Sequence, residues 1–169
     1  MKEHDIVAPS EWVVRWAPLI THGTVLDVAC GSGRHAKFFL SKSINVVAVD
    51  RKPRQIPGAR FVLADLENGN SWPLPGEQFE GVVVTNYLYR DIFPEILKAL
   101  KPEGVLIYET FMAGNERYGR PSNPEFLLRP GELLEVFAGL EVRAFEEGPQ
   151  EQPKPAMIQR LCAVRAGKG

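Results

Sequence analysis

The apolar positions of this chain fall into short runs that stop at glycines, prolines or acids. Thr24 to Ala29 is an apolar, β-branched run ending at a glycine-rich turn, which predicts a buried strand. Ile44 to Val49, closed by Asp50, predicts a second strand, and Arg60 to Ala64 a third. Gly81 to Thr85 carries the continuous valines Val82, Val83 and Val84, a pattern of burial on both faces as in a parallel sheet. Val105 to Tyr108 predicts a fifth strand, and Leu140 to Glu146 and Met157 to Val164 the last two. The connector between those two, "GPQEQPKP", is too short and irregular for a crossover helix, so they pair antiparallel.

Helical spacing alternates with these runs. Glu11 to Ile20 has Trp12, Val13 and Trp16 at helical intervals and Pro18 near its end. Gly33 to Leu40 starts a helix directly after the first glycine turn. Asp91 to Leu100 places Ile92, Ile96, Leu97 and Leu100 on one face, with Asp91 as N-cap and Pro102 and Gly104 as the stop. Gly131 to Phe137 forms another helix after Pro130. Between Arg51 and Arg60, Pro53, Pro57 and Gly58 stunt any helix, and "DLENGNSWPLPGEQ" leaves little room for one. The alternation predicts an α/β fold: a Rossmann-like, seven-stranded, mostly parallel sheet with a C-terminal antiparallel hairpin. Helices lie on both faces, some of them reduced, and residues 1–169 form a single domain.

Composition narrows the setting. The chain has 169 residues, 44% of them hydrophobic, enough for an ordinary core and no repeat. A net charge of -1 argues against strong electrostatic binding of a phosphate backbone. Cys30 and Cys162 make no disulfide framework, the N-terminus "MKEHDIVAPS" lacks the apolar core of a leader, and no run approaches a membrane span. These features predict a cytoplasmic protein that does not enter the membrane.

In sheets of this kind ligands bind beyond the carboxyl ends of the strands, where the strand order reverses. That rule selects Asp27 to Gly33, Asp50, Asp65, Asn86 to Arg90, and Glu109 onward. Within "VLDVACGSGRHA", Gly31 and Gly33 let backbone N–H groups approach a ligand at the start of a helix. The spacing fits a dinucleotide site, and it also fits a plain tight turn. Asp27 and Asp65 would repel a pyrophosphate but suit a cationic ligand, and Asp50 can accept both hydroxyls of a ribose. Together the acids describe S-adenosylmethionine better than NAD.

With these residues in place, the chain resembles the class I S-adenosylmethionine-dependent methyltransferases, with the flavour of small bacterial, tellurite-resistance-like members. "VLDVACGSGRHA", "VVAVD" and "FVLADLEN" resemble the family's first three motifs. "FEGVVVTNYLYR" and "ILKALKPEGVLIYETF" resemble its fourth and fifth strands, so the likeness runs from Val25 to Phe111. It implies S-adenosyl-L-methionine as cofactor, its methionine part held by Asp27 and the Gly31–Gly33 backbone. It further implies ribose contacts from Asp50, adenine contacts from Asp65 and Leu66, and a sulfonium lined by Thr85, Asn86 and Tyr87. Ala29, which stands where many members have glycine, joins Cys30 and Arg51 in the expected cofactor set.

The acceptor side is read from "TNYLYR" and from the irregular segment Glu109–Arg129. The first lacks the paired prolines of enzymes that methylate nucleobase amines, which counts against adenine or glutamine N-methylation. Tyr87 is the candidate that shapes the reacting pocket, Tyr89 a further contact, and Arg90 an anchor for an anionic substrate. Packing and a solvated charge are the plainer readings of the tyrosines and the arginine. In the second segment Gly114 and Gly119 are possible hinges of a binding loop, with Asn115 and Phe126 on it and Arg117, Tyr118 and Arg120 as substrate contacts. Glu109 is a candidate general base, paired with Tyr87 as the catalytic set. The N-terminal helix brings Trp12, Arg15 and Trp16, a segment that the resemblance lets cover the cofactor, with packing of the tryptophans on the sheet as the plainer reading, and His35 is expected to be solvated or to cap its helix. His4 and His22 receive no role, and no His/Cys cluster points to a metal. The expected function is methyl transfer to a small or planar acceptor. A non-catalytic cofactor-binding subunit, an RNA methyltransferase and an NAD-dependent oxidoreductase remain as alternatives, and oligomeric state stays open.

Overall fold

The computed structural model describes residues 8–167, so His4 and most of the N-terminal segment read for a leader lie outside the described residues. The elements are α1 (Glu11–Trp16), β1 (Thr24–Val28), α2 (Arg34–Ser41), β2 (Asn45–Asp50), β3 (Arg60–Leu63) and β4 (Phe79–Thr85). They continue with α3 (Phe93–Ala99), β5 (Leu100–Phe111), α4 (Glu132–Val136), β6 (Glu141–Gln150) and β7 (Ala156–Val164). The seven strands lie in the order β3-β2-β1-β4-β5-β7-β6. Strands β1 to β5 run parallel, and β7 is antiparallel to both β5 and β6. The Rossmann-like sheet and its closing hairpin are as expected.

The strand order reverses between β1 and β4, which pair with Asp27 beside Val83 and Val28 beside Val84. Both sheet faces are covered, which is why the runs are continuously apolar. Leu26, Val28, Val82, Val84 and Leu106 share a cluster with Phe93 of α3 and with Phe137. Val25, Val83, Val105 and Ile107 share the other with Trp12 of α1 and Phe39 of α2. Trp12 is buried as packing required, and its indole donates to the Leu161 carbonyl at 3.1 Å.

Three local expectations change. Asp91 is exposed and caps nothing: a 3-10 turn at Arg90–Ile92 leads into α3, whose N-cap is Ile92, with Pro94 in the first turn where its missing N–H costs nothing. The helix stops before Pro102 because Leu100, fully buried, turns extended and begins β5. Pro102 and Gly104 therefore sit inside a strand, beside Glu103 at φ 68, where the β4–β5 register slips. The segment after Phe111 is not structureless. It forms two 3-10 turns, Asn115–Arg117 and Pro124–Phe126, and closes on itself through a bridge from Met112 to Leu128. Buried Asn115 clasps it, donating to the Pro121 carbonyl and accepting from Met157 N–H, each at 2.9 Å. No helix follows β2 or β3.

Gly33 shows why the first turn needs glycine. Its φ is +84°, and a Cβ there would stand 2.7 Å from Ile56 Cδ1. Gly33→Ala is expected to cost about 2 kcal/mol of stability through strain and overlap, measured as a lowered urea midpoint with unchanged slope.

Candidate functional site

A cavity of about 490 Å³ opens over the carboxyl ends of β1, β2 and β4, within the size range of small-ligand pockets. Its floor is the turn after β1. Ala29 and Gly31 adopt left-handed φ values of 53° and 56°, and Cys30 N–H reaches across to the Val49 carbonyl at 2.9 Å. The turn thus lies against the end of β2. There Gly31 N–H donates to Asp50 Oδ2 at 2.7 Å, and Lys52 N–H to Oδ1 at 3.1 Å. Arg54 Nε stands 3.6 Å from Oδ2, too far for a hydrogen bond, and has no other partner. A carboxylate offers about four lone-pair positions. Two are taken by backbone, which orients Asp50 and leaves capacity for a vicinal diol.

Asp65 and Leu66 line the cavity beyond β3, the acid accepting from Glu67 N–H at 2.9 Å and the leucine supplying an apolar face. Tyr87 enters from β4, its hydroxyl donating to Glu67 at 3.1 Å. Burial and the facing carboxylate raise the phenol further above its ordinary pKa, so it remains protonated. Asn86, at φ 54°, exposes its side chain at the same edge. Phe111, Pro121 and Phe126 form the opposite wall, brought there by the clasped segment. Diol acceptor, apolar face and glycine turn together fit an adenosyl ligand.

Of the expected cofactor residues, Ala29, Gly31, Asp50, Arg51, Asp65, Leu66, Asn86 and Tyr87 line this cavity. Asp27, Cys30, Gly33 and Thr85 do not. Asp27 shares its sheet face with Val25, lies under α2, and accepts from Ala36 N–H at 3.1 Å. Burial pushes its pKa up to about 7. The Cys30 thiol is buried and raised to about 12 by the same cause. Thr85 Oγ1 faces His35 Nδ1 at 3.3 Å.

Several acceptor-side expectations are corrected. Arg90 is no anchor: it holds both oxygens of buried Glu132, at 2.8 and 2.9 Å, and the carbonyls of Glu125 and Leu127. Glu109 is expected as a free base but stands in an ion pair, its Oε2 accepting from Arg160 Nε at 2.5 Å. Tyr89 is placed outside the cavity, beside Asn70 and Trp72. Arg117, Tyr118 and Arg120 are exposed and do not line the cavity. His35 is not solvated but buried at 1% exposure. Its Nε2 accepts from Ser10 N–H at 3.0 Å, so the proton of the neutral ring sits on Nδ1. Sequence reasoning missed Lys52, Arg54, Glu67, Thr110, Phe111 and Pro121 in the wall. Each but Pro121 lies within a few residues of a strand end it had selected, the available signal.

A second cavity, of about 400 Å³, lies between the start of α1, the end of β5 and the β6–β7 hairpin. Among the described residues no helix is long and apolar enough to cross a membrane, and no cluster of His, Cys, Asp and Glu could hold a metal.

Residues 25–104 match a family model described as a methyltransferase domain. The fold is that of class I S-adenosylmethionine-dependent methyltransferases. TehB from Haemophilus influenzae superposes with a TM-score of 0.76 at 18% identity, over 96% of this chain and 64% of that one. A Burkholderia thailandensis 1,6-didemethyltoxoflavin-N1-methyltransferase, solved with 1,6-didemethyltoxoflavin and S-adenosylhomocysteine, gives 0.65 at 19% identity over 92% and 76%. In sequence, the ribosomal RNA small subunit methyltransferase H of Gemmatimonas aurantiaca is 26% identical over 146 residues. That alignment takes in 84% of this chain but 46% of the relative, so the chain spans about half the length of the curated protein it matches. Residues 25–104 thus match a methyltransferase domain, and the chain has the fold of S-adenosylmethionine-dependent methyltransferases.

Two predictions follow from the buried groups. Arg90→Ala leaves buried Glu132 with Arg129 alone, whose N–H donates at 2.8 Å and whose guanidinium stands 3.7 Å away, and is expected to cost about 2 kcal/mol, read by urea unfolding, while S-adenosylhomocysteine affinity stays at the wild-type value. The second concerns pH. His35 is pushed down to about 3 from 6.5, so the unfolded chain binds more protons between those values and His35 adds stability as pH rises. Asp27 is pushed up to about 7 from 3.8, so the folded chain binds more protons there and Asp27 subtracts stability as pH rises. The two slopes oppose each other from about pH 4 to 6.5. Relative to wild type, Asp27→Asn should steepen the gain in urea midpoint across that window, and His35→Gln should turn it into a loss.

Proposed function

We propose that the chain is a single-domain enzyme that transfers the methyl group of S-adenosylmethionine to a small-molecule acceptor. The observation that carries this reading is the Asp50 carboxylate, pinned by Gly31 and Lys52 at the cavity floor with free capacity for a ribose. Asp65 and Leu66 would flank the adenine, the Ala29–Gly31 backbone the methionine end, and Asn86 and Tyr87 the sulfonium. When bound, S-adenosylmethionine supplies an electrophilic methyl group. The protein's own task is then to align donor and acceptor, which needs no nucleophilic side chain. Tyr87, held protonated by Glu67, shapes that junction and removes no proton.

A small acceptor agrees with the net charge of -1 and with a neighbour in fold that was solved with bound 1,6-didemethyltoxoflavin. The sequence likeness to a ribosomal RNA methyltransferase supports a second reading, an RNA acceptor, over part of that relative's length. Two free, buried cysteines suit a reducing cytoplasm.

A thermal-shift titration tests the cofactor reading. S-adenosylhomocysteine at a hundredfold over its Kd should add about 2.7 kcal/mol, and Asp50→Ala should abolish that shift. A shift with NAD and none with S-adenosylhomocysteine would refute the reading. Release of S-adenosylhomocysteine in the presence of an acceptor separates an enzyme from a non-catalytic binding subunit.

A further inference from the structure

We propose that Tyr108 is a positioning residue for methyl transfer: from beneath the site it fixes the Tyr87 main chain, and with it the place where the Tyr87 ring meets the sulfonium. This rests on the methyltransferase reading above, which puts Tyr87 beside that group. Tyr108 stands opposite Val84 in the β4–β5 ladder, which ends one pair later at Thr85 and Glu109. Its side chain is fully buried in the core cluster that includes Phe93 and Phe137. Its hydroxyl reaches past the end of the ladder and donates to the Tyr87 carbonyl at 2.9 Å.

The turn that this hydroxyl reaches has no ladder of its own. Asn86 holds φ 54°, a left-handed value that asparagine tolerates but that favours glycine. Beyond Thr85 no strand pairing sets the direction of the chain. Strand β5 supplies two substitutes. The Glu109 carbonyl accepts from Asn86 N–H at 2.9 Å, and Tyr108 takes the Tyr87 carbonyl. At the far end of the same residue the Tyr87 phenol donates to Glu67 at 3.1 Å. Carbonyl and hydroxyl of Tyr87 are both tied, and the ring between them is held on the cavity wall.

The anchor itself is rigid. Phe93 and Phe137 wedge the Tyr108 ring, each with its centroid 6.2 Å away, the first edge-on and the second tilted. Burial holds the Tyr108 phenol above its ordinary range, so the hydroxyl keeps its proton and stays a donor. Phenylalanine would fill the same core. What the hydroxyl adds is one bond, and its partner is the backbone of a residue that lines the cofactor cavity. The consequence depends on charge. A cation beside an aromatic face is attracted by the ring, and a neutral thioether far less. The place of the Tyr87 ring therefore weighs on the affinity for S-adenosylmethionine and little on that for S-adenosylhomocysteine.

The test is calorimetric titration of the full chain with S-adenosylmethionine and with S-adenosylhomocysteine, read as the ratio of the two Kd values. Tyr108→Phe keeps the packing and removes the hydroxyl. It should raise the Kd of S-adenosylmethionine about threefold and leave that of S-adenosylhomocysteine at the wild-type value. Tyr87→Leu should raise the ratio at least as far, and Tyr108→Phe added to it should change the ratio no further. An unchanged ratio in Tyr108→Phe, with both ligands weakened alike or neither, marks a purely structural tyrosine and overturns the proposal. An equal further rise in the Tyr87→Leu background overturns it too. A measurement on the wild type covers a variant that does not fold. The buried Tyr108 hydroxyl proton should give a slowly exchanging resonance that moves more with S-adenosylmethionine than with S-adenosylhomocysteine, and one that moves no more refutes the proposal. Binding of neither ligand by the wild type would instead overturn the methyltransferase reading.

Discussion

The hydrogen bond from Gly31 N–H to the Asp50 carboxylate is the contact on which the site depends. It joins the turn after β1 to the end of β2 across 19 residues of sequence. Lys52 N–H holds the second oxygen, so the acid cannot rotate away from the cavity. The left-handed residues Ala29 and Gly31 exist to bring that amide within reach, and Gly33 closes the turn where a side chain would strike Ile56. Loss of this link would free the floor, the acid and the start of α2 together.

Around that floor the protein is economical. No helix follows β2 or β3, so the outer wall is made from loop residues, with Arg51, Lys52 and Arg54 set against Asp50, Asp65 and Glu67. Charges of both signs border the same cavity. The opposite wall comes from a segment that folds back along β5 and is clasped by Asn115, which gives a loop the fixity of a regular element.

The strands were legible because both sheet faces are buried and each run stops at a turn residue. Asp50, Asp65 and Asn86 followed from that, being the first residues past strands. The same two-faced burial hid the orientation of Asp27: without alternation of polar and apolar positions, nothing marks which side a strand residue takes. Pairs distant in sequence were equally hidden. Arg90 meets Glu132 across 42 residues and Glu109 meets Arg160 across 51, so neither commitment leaves a local trace. The early start of β5 escaped because Pro102 and Gly104 read as a helix stop, yet serve equally in a bulge.

His35 has a consequence for how this chain can vary. One imidazole reaches the backbone of Ser10 with one nitrogen and the hydroxyl of Thr85 with the other. Position 10 must therefore keep its N–H, which bars proline there although proline precedes it. Position 85 must keep an oxygen small enough to lie under α2. Three sites far apart along the chain are thus tied through one side chain, and a change at His35 alone leaves both the Ser10 N–H and the Thr85 hydroxyl without that partner.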